Sequence, residues 1–193
     1  VARPGLVVDD SCDEEERQRF GYKLVTAYRF PEVGGKLDRK DAEVYCRETL
    51  AMRLSYGDVT DLYRINLGWA NQRGNQPPGF NLDLERGYWS RNQADEEDQD
   101  DATAQGRLQR VVPYVKDTKN ALVMRFEPPR PGPEMASLQS AFKQAILKHF
   151  QLEPRALSSE PMPSANDRQE MLFYEASEGG AGVLRQLVED PGA

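Results

Sequence analysis

Apolar and polar positions alternate from Gly21 to Phe30. Tyr22, Leu24, Thr26, Tyr28 and Phe30 fall on one side, Lys23, Val25, Ala27 and Arg29 on the other. A period of two with β-branched and aromatic residues predicts a strand, which Pro31 and then Gly34-Gly35 end. Val44, Cys46, Leu50, Met52 and Leu54 fit the same alternation in part, and Tyr56-Gly57-Asp58 reads as a turn. Leu62–Trp69 and Phe80–Trp89 look like two antiparallel strands joined by the Asn-, Gln-, Gly- and Pro-rich loop 71–79. Val111–Val115, Asp117–Asn120 and Ala121–Phe126 read as strand, turn, strand. The proline-rich stretch 128–133 then forms a stiff connector.

The period changes after that connector. Met135, Leu138, Phe142, Ala145, Ile146 and His149 recur at helical steps and predict a long amphipathic helix over 134–150. It would be roughly 25 Å long at the usual rise. His149 on this face reads as a partly buried packing residue rather than a catalyst. Leu157–Met162 is a short extended piece and 164–167 a polar turn. Met171-Leu172-Phe173-Tyr174 is an apolar run, followed by Gly179, Gly180 and Gly182, then by Val183, Leu184, Leu187 and Val188 at helical spacing. That predicts a buried strand, a glycine turn and a C-terminal helix. The fold expected from these blocks is α+β, a largely antiparallel sheet with the two helices packed on it.

Composition changes this picture in two places. The 193 residues carry a net charge of −7, and the run 95–101 holds six acids and no base. Without those six the remainder stands at −1, so a basic face is compatible with the balance. From 90 to 106 bulky apolar residues are almost absent, and a disordered acidic loop is expected there. Asp9 to Arg19 reads as a solvated lead-in or a short helix. There is no apolar run long enough for a transmembrane helix, so no membrane partner is expected.

Cys12 and Cys46 are far apart, and the single histidine is His149. Zinc wants about four ligands in close pairs, so no metal site or cofactor is expected within the chain. Two cysteines make no disulfide framework, which favours a reducing, cytoplasmic setting; both read as core or semi-buried thiols. The chain begins at Val1 without an initiator Met and reads as a single domain, residues 1–193, cut from a longer protein.

Two candidate sites follow. In the first, the turn of Glu178, Gly179, Gly180 and Gly182 leads into a helix start, whose free N–H groups and dipole suit an anion. The turn matches neither the dinucleotide nor the Walker pattern, and Glu175 and Glu178 would repel a phosphate. A plain structural turn is the other reading. In the second, Tyr63, Arg64, Trp69, Arg73, Phe80, Arg86, Tyr88, Trp89 and Arg91 interleave bases with aromatics. Aromatic faces stack nucleobases and arginines hold phosphates; alternatively the large rings are core and the arginines its rim. No catalytic set of nucleophile, base and acid stands out, so no catalytic residue is assigned.

GYKLVTAYRF, DLYRINLGW with GFNLDLERGYW, and LFYEASEGGAGVLRQLV together resemble a C-terminal domain, formerly of unknown function, of large DEAD/DEAH-box helicase-like proteins. Members occur among mitomycin-repair helicases and in the DISARM antiphage system. The resemblance runs roughly from Asp13 to Val188 and implies an accessory domain of an ATP-dependent, DNA-translocating machine whose motor lies elsewhere. It implies DNA as a partner, together with the helicase motor domains. Single-stranded DNA would lie on Arg64, Trp69, Arg73, Arg86 and Trp89, and the Gly179–Gly182 turn would touch a phosphate or a neighbouring domain. The alternative is a purely structural interaction domain without DNA contact. Family members usually carry a zinc-binding cysteine cluster beyond the glycine block; this chain ends at Ala193 before any such cluster, so either the sequence is cut there or this member lacks it, and the resemblance allows zinc only in the parent beyond that point.

Overall fold

A computed structural model describes residues 21–69, 77–85, 87–90, 108–176 and 180–189. The lead-in 9–19, Cys12, the acidic run, Arg73, Arg86, Arg91, Glu178 and Gly179 lie outside them. The described residues form a mostly antiparallel sheet structure with two helices, an α+β fold. The strands in chain order are β1 Tyr22–Arg29, β2 Glu32–Val33, β3 Lys36–Leu37, β4 Lys40–Cys46, β5 Thr49–Trp69, β6 Phe80–Asp83, β7 Tyr88–Ser90, β8 Leu108–Val111, β9 Tyr114–Phe126, β10 Leu157–Ser164 and β11 Asp167–Glu175. The helices are α1, Gly132–His149, and α2, Val183–Glu189. The chain divides into two compact units, residues 1–25 with 64–115, and residues 26–63 with 116–193.

In the second unit the strand order is β1-β5-β9-β11-β10, with β4 also paired to β5. Side chains alternate across this sheet, and both faces are buried. Leu122 and Met124 of β9, with Met171 and Phe173 of β11, join Met52, Leu54 and Tyr56. Met135, Ile146 and Leu147 of α1 and Val183 and Leu184 of α2 cover that face. Ala121, Val123, Leu172 and Tyr174 point the other way and pack with Phe30, Leu62 and Met162. Burial on both faces is why Met171–Tyr174 reads as an unbroken apolar run rather than an alternating one.

Three sequence expectations fail here, each for a local reason. Tyr56-Gly57-Asp58 is not a turn but the middle of the 21-residue β5. A Cβ on Gly57 would lie 2.5 Å from Thr60 Oγ1 and 2.7 Å from the Phe30 ring, so the glycine serves close packing. The turn falls earlier, at Arg47-Glu48, both with positive φ, joining β4 to β5 by two residues as hairpins prefer. Asp117–Asn120 is likewise inside β9, not a turn. Its polar residues meet partners: Thr118 Oγ1 donates to Asp61 at 3.2 Å, and Lys119 Nζ to the Ala176 carbonyl at 3.0 Å. Phe80–Trp89 is a hairpin, β6 and β7, and among the described residues β6 pairs with β7 and β8 rather than with Leu62–Trp69.

Two side-chain expectations also change. His149 is exposed, its ring edge-on to Phe150 at 4.7 Å between centroids. It sits at the helix end, where the interior stripe of Met135, Ile146 and Leu147 has already passed. Cys46 is an exposed free thiol, carried at the end of edge strand β4 beside the Arg47-Glu48 turn.

Candidate functional site

The two sequence-derived sites fall in different units and are described separately. In the second unit, buried β11 delivers Glu175 to the base of α2. Only 2% of Glu175 is exposed. Its Oε2 accepts the Gly182 N–H at 2.9 Å and its Oε1 accepts the Leu184 N–H at 3.0 Å. The chain's own carboxylate thus occupies the anion position at this seven-residue helix. Gly180 and Gly182 have φ +60° and +72°. A Cβ on Gly180 would overlap Glu175 Oε2 and lie 2.5 Å from Asn120 Nδ2, whereas one on Gly182 would meet nothing within 4 Å. Gly180 is therefore required twice, by its backbone angle and by its neighbours. The role of Glu175 escaped the sequence reading. Its signal was an acid closing an apolar run and preceding a helix start by a few residues.

In the first unit, β7-β6-β8 forms a small sheet. Leu82 lies opposite Trp89 on one side and Gln109 on the other, and Phe80 lies opposite Val111. By the strand period, Phe80, Leu82, Trp89, Gln109 and Val111 share one face, while Asn81, Asp83, Leu108 and Arg110 belong to the reverse. Three rings gather about Phe80. Tyr22 stacks on Trp69 at 4.6 Å and 24° between planes. Phe80 makes T-shaped contacts with Tyr22, Trp69 and Trp89 at 6.2, 6.2 and 5.8 Å between centroids, the geometries aromatic pairs prefer. Trp69 and Trp89 remain 42% and 45% exposed. They are the only two tryptophans of the chain.

Trp69 and Trp89 are thus brought together through Phe80. Arg64 lies half-buried on β5, five residues before Trp69. Tyr63 lies in the other unit, with the Lys116 ammonium 5.9 Å from its ring centre.

The second unit also carries a hollow of about 520 Å³ whose lining includes Tyr28, Arg39, Asp41, Glu43, Arg53, Arg125 and Glu170. Its charges are matched: Arg39 with Asp41 at 3.1 Å, Arg53 with Glu43 at 2.5 Å, and Arg125 with Glu170. The Tyr28 hydroxyl donates to Glu170 at 2.9 Å. Burial first, and then the Glu170 charge, push the Tyr28 phenol up to about 12, so it is no nucleophile near neutral pH. Among the described residues, no three His, Cys, Asp or Glu side chains converge to hold a metal. No helix of the described residues is long and apolar enough to cross a membrane.

No family model and no curated protein matches the chain. Among solved structures it is similar to the crystal structure of the DUF1998 helicase MrfA bound to DNA. The identity is 8% and the TM-score 0.43, with 88% of this chain and 20% of that one covered. The chain therefore spans about a fifth of the length of that protein. MrfA is a helicase, as are the proteins that the sequence blocks resemble. A likeness of this degree carries no function across.

Proposed function

We propose that this chain is an accessory domain of an ATP-dependent, helicase-like protein acting in DNA repair or antiphage defence, and that it holds single-stranded DNA on the ring face of Trp69, Phe80 and Trp89. One observation carries this reading. Two tryptophans, the costliest side chains to leave in water, stand nearly half exposed, each in T-shaped contact with one shared phenylalanine. A rigid exposed ring offers a base a stacking surface at little entropic cost, roughly 1–3 kcal/mol per base. Arg64, Arg73 and Arg86 would meet the phosphates. The sequence blocks that resemble helicase accessory domains give the setting. The glycine turn, Glu178 to Gly182, faces a neighbouring domain of the parent in this reading, because Glu175 already takes the first helix amides.

The test is titration of the 193-residue chain with a single-stranded oligonucleotide and with its duplex. Tryptophan emission arises wholly from this face. Quenching by the single strand, weakening steeply with salt, is expected. Absence of quenching by either form at low salt overturns the reading.

A second reading is a protein-docking domain that touches no DNA. It is favoured by exposed Leu108, Tyr114 and Val115 in the same unit, an apolar surface of the kind that marks interfaces. In that case Gly180→Val abolishes assembly with the motor, and DNA affinity is nil before and after.

A further inference from the structure

The geometry points to Arg110, on the reverse of the small sheet, as the positioning residue that sets the ring face; this rests on the DNA-stacking reading above. Arg110 lies on β8 opposite Asn81. Its guanidinium spends its donors on one short stretch of chain. Nε donates to the Pro78 carbonyl at 3.0 Å, Nη2 to the carbonyls of Pro77 and, at 3.4 Å, Gly79, and Nη1 to Asn81 Oδ1 at 3.4 Å. Two prolines leave no N–H of their own there for a backbone ladder. Their carbonyls are satisfied by the side chain instead.

Residues 77–79 lead directly into Phe80. Gly79 is pinned from two more sides. Its N–H donates to the Leu67 carbonyl at 2.8 Å, two residues before Trp69. It also has φ +104°, and a Cβ there would overlap the Val111 carbonyl oxygen. One tripeptide therefore ties β5, which carries Trp69, to β6, which carries Phe80, and to β8, which carries Arg110. The spacing of Trp69, Phe80 and Trp89 depends on that tie. Arg110 acts through it without facing the rings, since successive side chains of a strand point to opposite faces.

A direct phosphate contact by Arg110 makes a different prediction, and Arg110→Lys separates the two. Lysine keeps the charge but not the planar fork that reaches several carbonyls at once. In the unliganded chain, Arg110→Ala and Arg110→Lys should both lose most of the tryptophan near-ultraviolet circular dichroism band, with far-ultraviolet signal retained. Affinity for a single-stranded oligonucleotide should fall roughly tenfold in both, the worth of about one stacked base, with the salt slope unchanged. Gly79→Ala disturbs the same tripeptide from the other side and should give the same spectrum, which keeps the test open if Arg110→Ala does not fold. A wild-type near-ultraviolet band in both Arg110 variants overturns the proposal. So does full affinity in Arg110→Lys together with a salt slope lowered by about one in Arg110→Ala, the mark of a lost phosphate contact. Altered bands without DNA binding by the parent chain would sustain the positioning role and sink the DNA reading.

Discussion

The Glu175 carboxylate and the Leu184 amide meet at 3.0 Å, across the glycine turn that separates the last strand from the last helix. The second oxygen of the same carboxylate takes the Gly182 amide. The contact is local in sequence yet closes the core, because Leu184 is itself fully buried. Glu175→Ala leaves two amides without their acceptor and opens a space at the helix base. An unpaired buried donor costs about 1–3 kcal/mol and the part-buried Gly182 amide less, so a loss of roughly 2–4 kcal/mol is expected. Urea denaturation of the variant would show it as a lower midpoint at unchanged slope. A midpoint equal to wild type would mean the carboxylate does not hold the helix.

The two glycines of the turn should respond unequally. Both have positive φ, which costs a side chain roughly 1–2 kcal/mol. Only at Gly180 would a Cβ overlap the Glu175 carboxylate and crowd Asn120. Gly182→Ala should therefore lose about 1 kcal/mol, and Gly180→Ala clearly more, near 3 kcal/mol once displacement of a buried, doubly bonded carboxylate is added. The two denaturation midpoints, measured side by side, check the order. Equal losses would leave backbone strain as the whole cause.

Periodicity made some elements legible and hid others. β1 and the inner half of β11 were readable because each carries one rule, the residue alternation of Tyr22–Arg29 and the continuous burial of Met171–Glu175. β5 and β9 were not, because each contains residues that usually end strands. Gly57 is there to let Phe30 and Thr60 approach, and Asp117–Asn120 because that end of β9 is exposed and finds polar partners. The Arg47-Glu48 turn has no glycine to announce it. The ring face was half legible. Alternation of aromatics and bases marked Trp69 and Trp89, but nothing local says that Phe80 lies between them, since that depends on pairing β6 with β7 and β8. Arg110 was invisible for the same reason, its partners being 29 to 33 residues away.

Stability should fall in alkali in a way that Tyr28→Phe removes. Burial and then the Glu170 charge raise the Tyr28 phenol from 10.0 to about 12. An unfolded tyrosine titrates near 10. The folded chain holds the proton longer than the unfolded chain does, so this contribution is whole below pH 10 and is lost as the pH rises towards 12. Tyr56 is raised too, by burial and by its hydrogen bond to Asp58, but it is present in both proteins and cancels in their difference. At pH 8 Tyr28→Phe lacks the bond to Glu170 and should be less stable by about 1–2 kcal/mol. The gap should close between pH 10 and 12. Urea midpoints that stay parallel across that window would show that Tyr28 carries no such linkage.

Removal of either tryptophan should weaken DNA binding as well as the fold. Trp69 and Trp89 stand 42% and 45% exposed, so truncation surrenders the buried half of each ring, roughly 2–3 kcal/mol. Trp69→Ala also gives up its stack on Tyr22, worth about 0.5–1.5 kcal/mol, and Trp89→Ala its edge contact with Phe80. Each loss in stability should come to roughly 2–4 kcal/mol in all, and binding is compared on variants whose urea curves show them folded. A base stacked on the ring is worth roughly 1–3 kcal/mol, which is about fivefold to 150-fold in affinity. Each variant keeps one tryptophan, so fluorescence still reports binding at the remaining ring. Phe80→Leu keeps an apolar side chain on the sheet but removes the ring that both tryptophans contact, and should reduce affinity although Phe80 itself offers less surface. If Trp69→Ala and Trp89→Ala both bind a single strand as the parent chain does, the bases do not lie on this face.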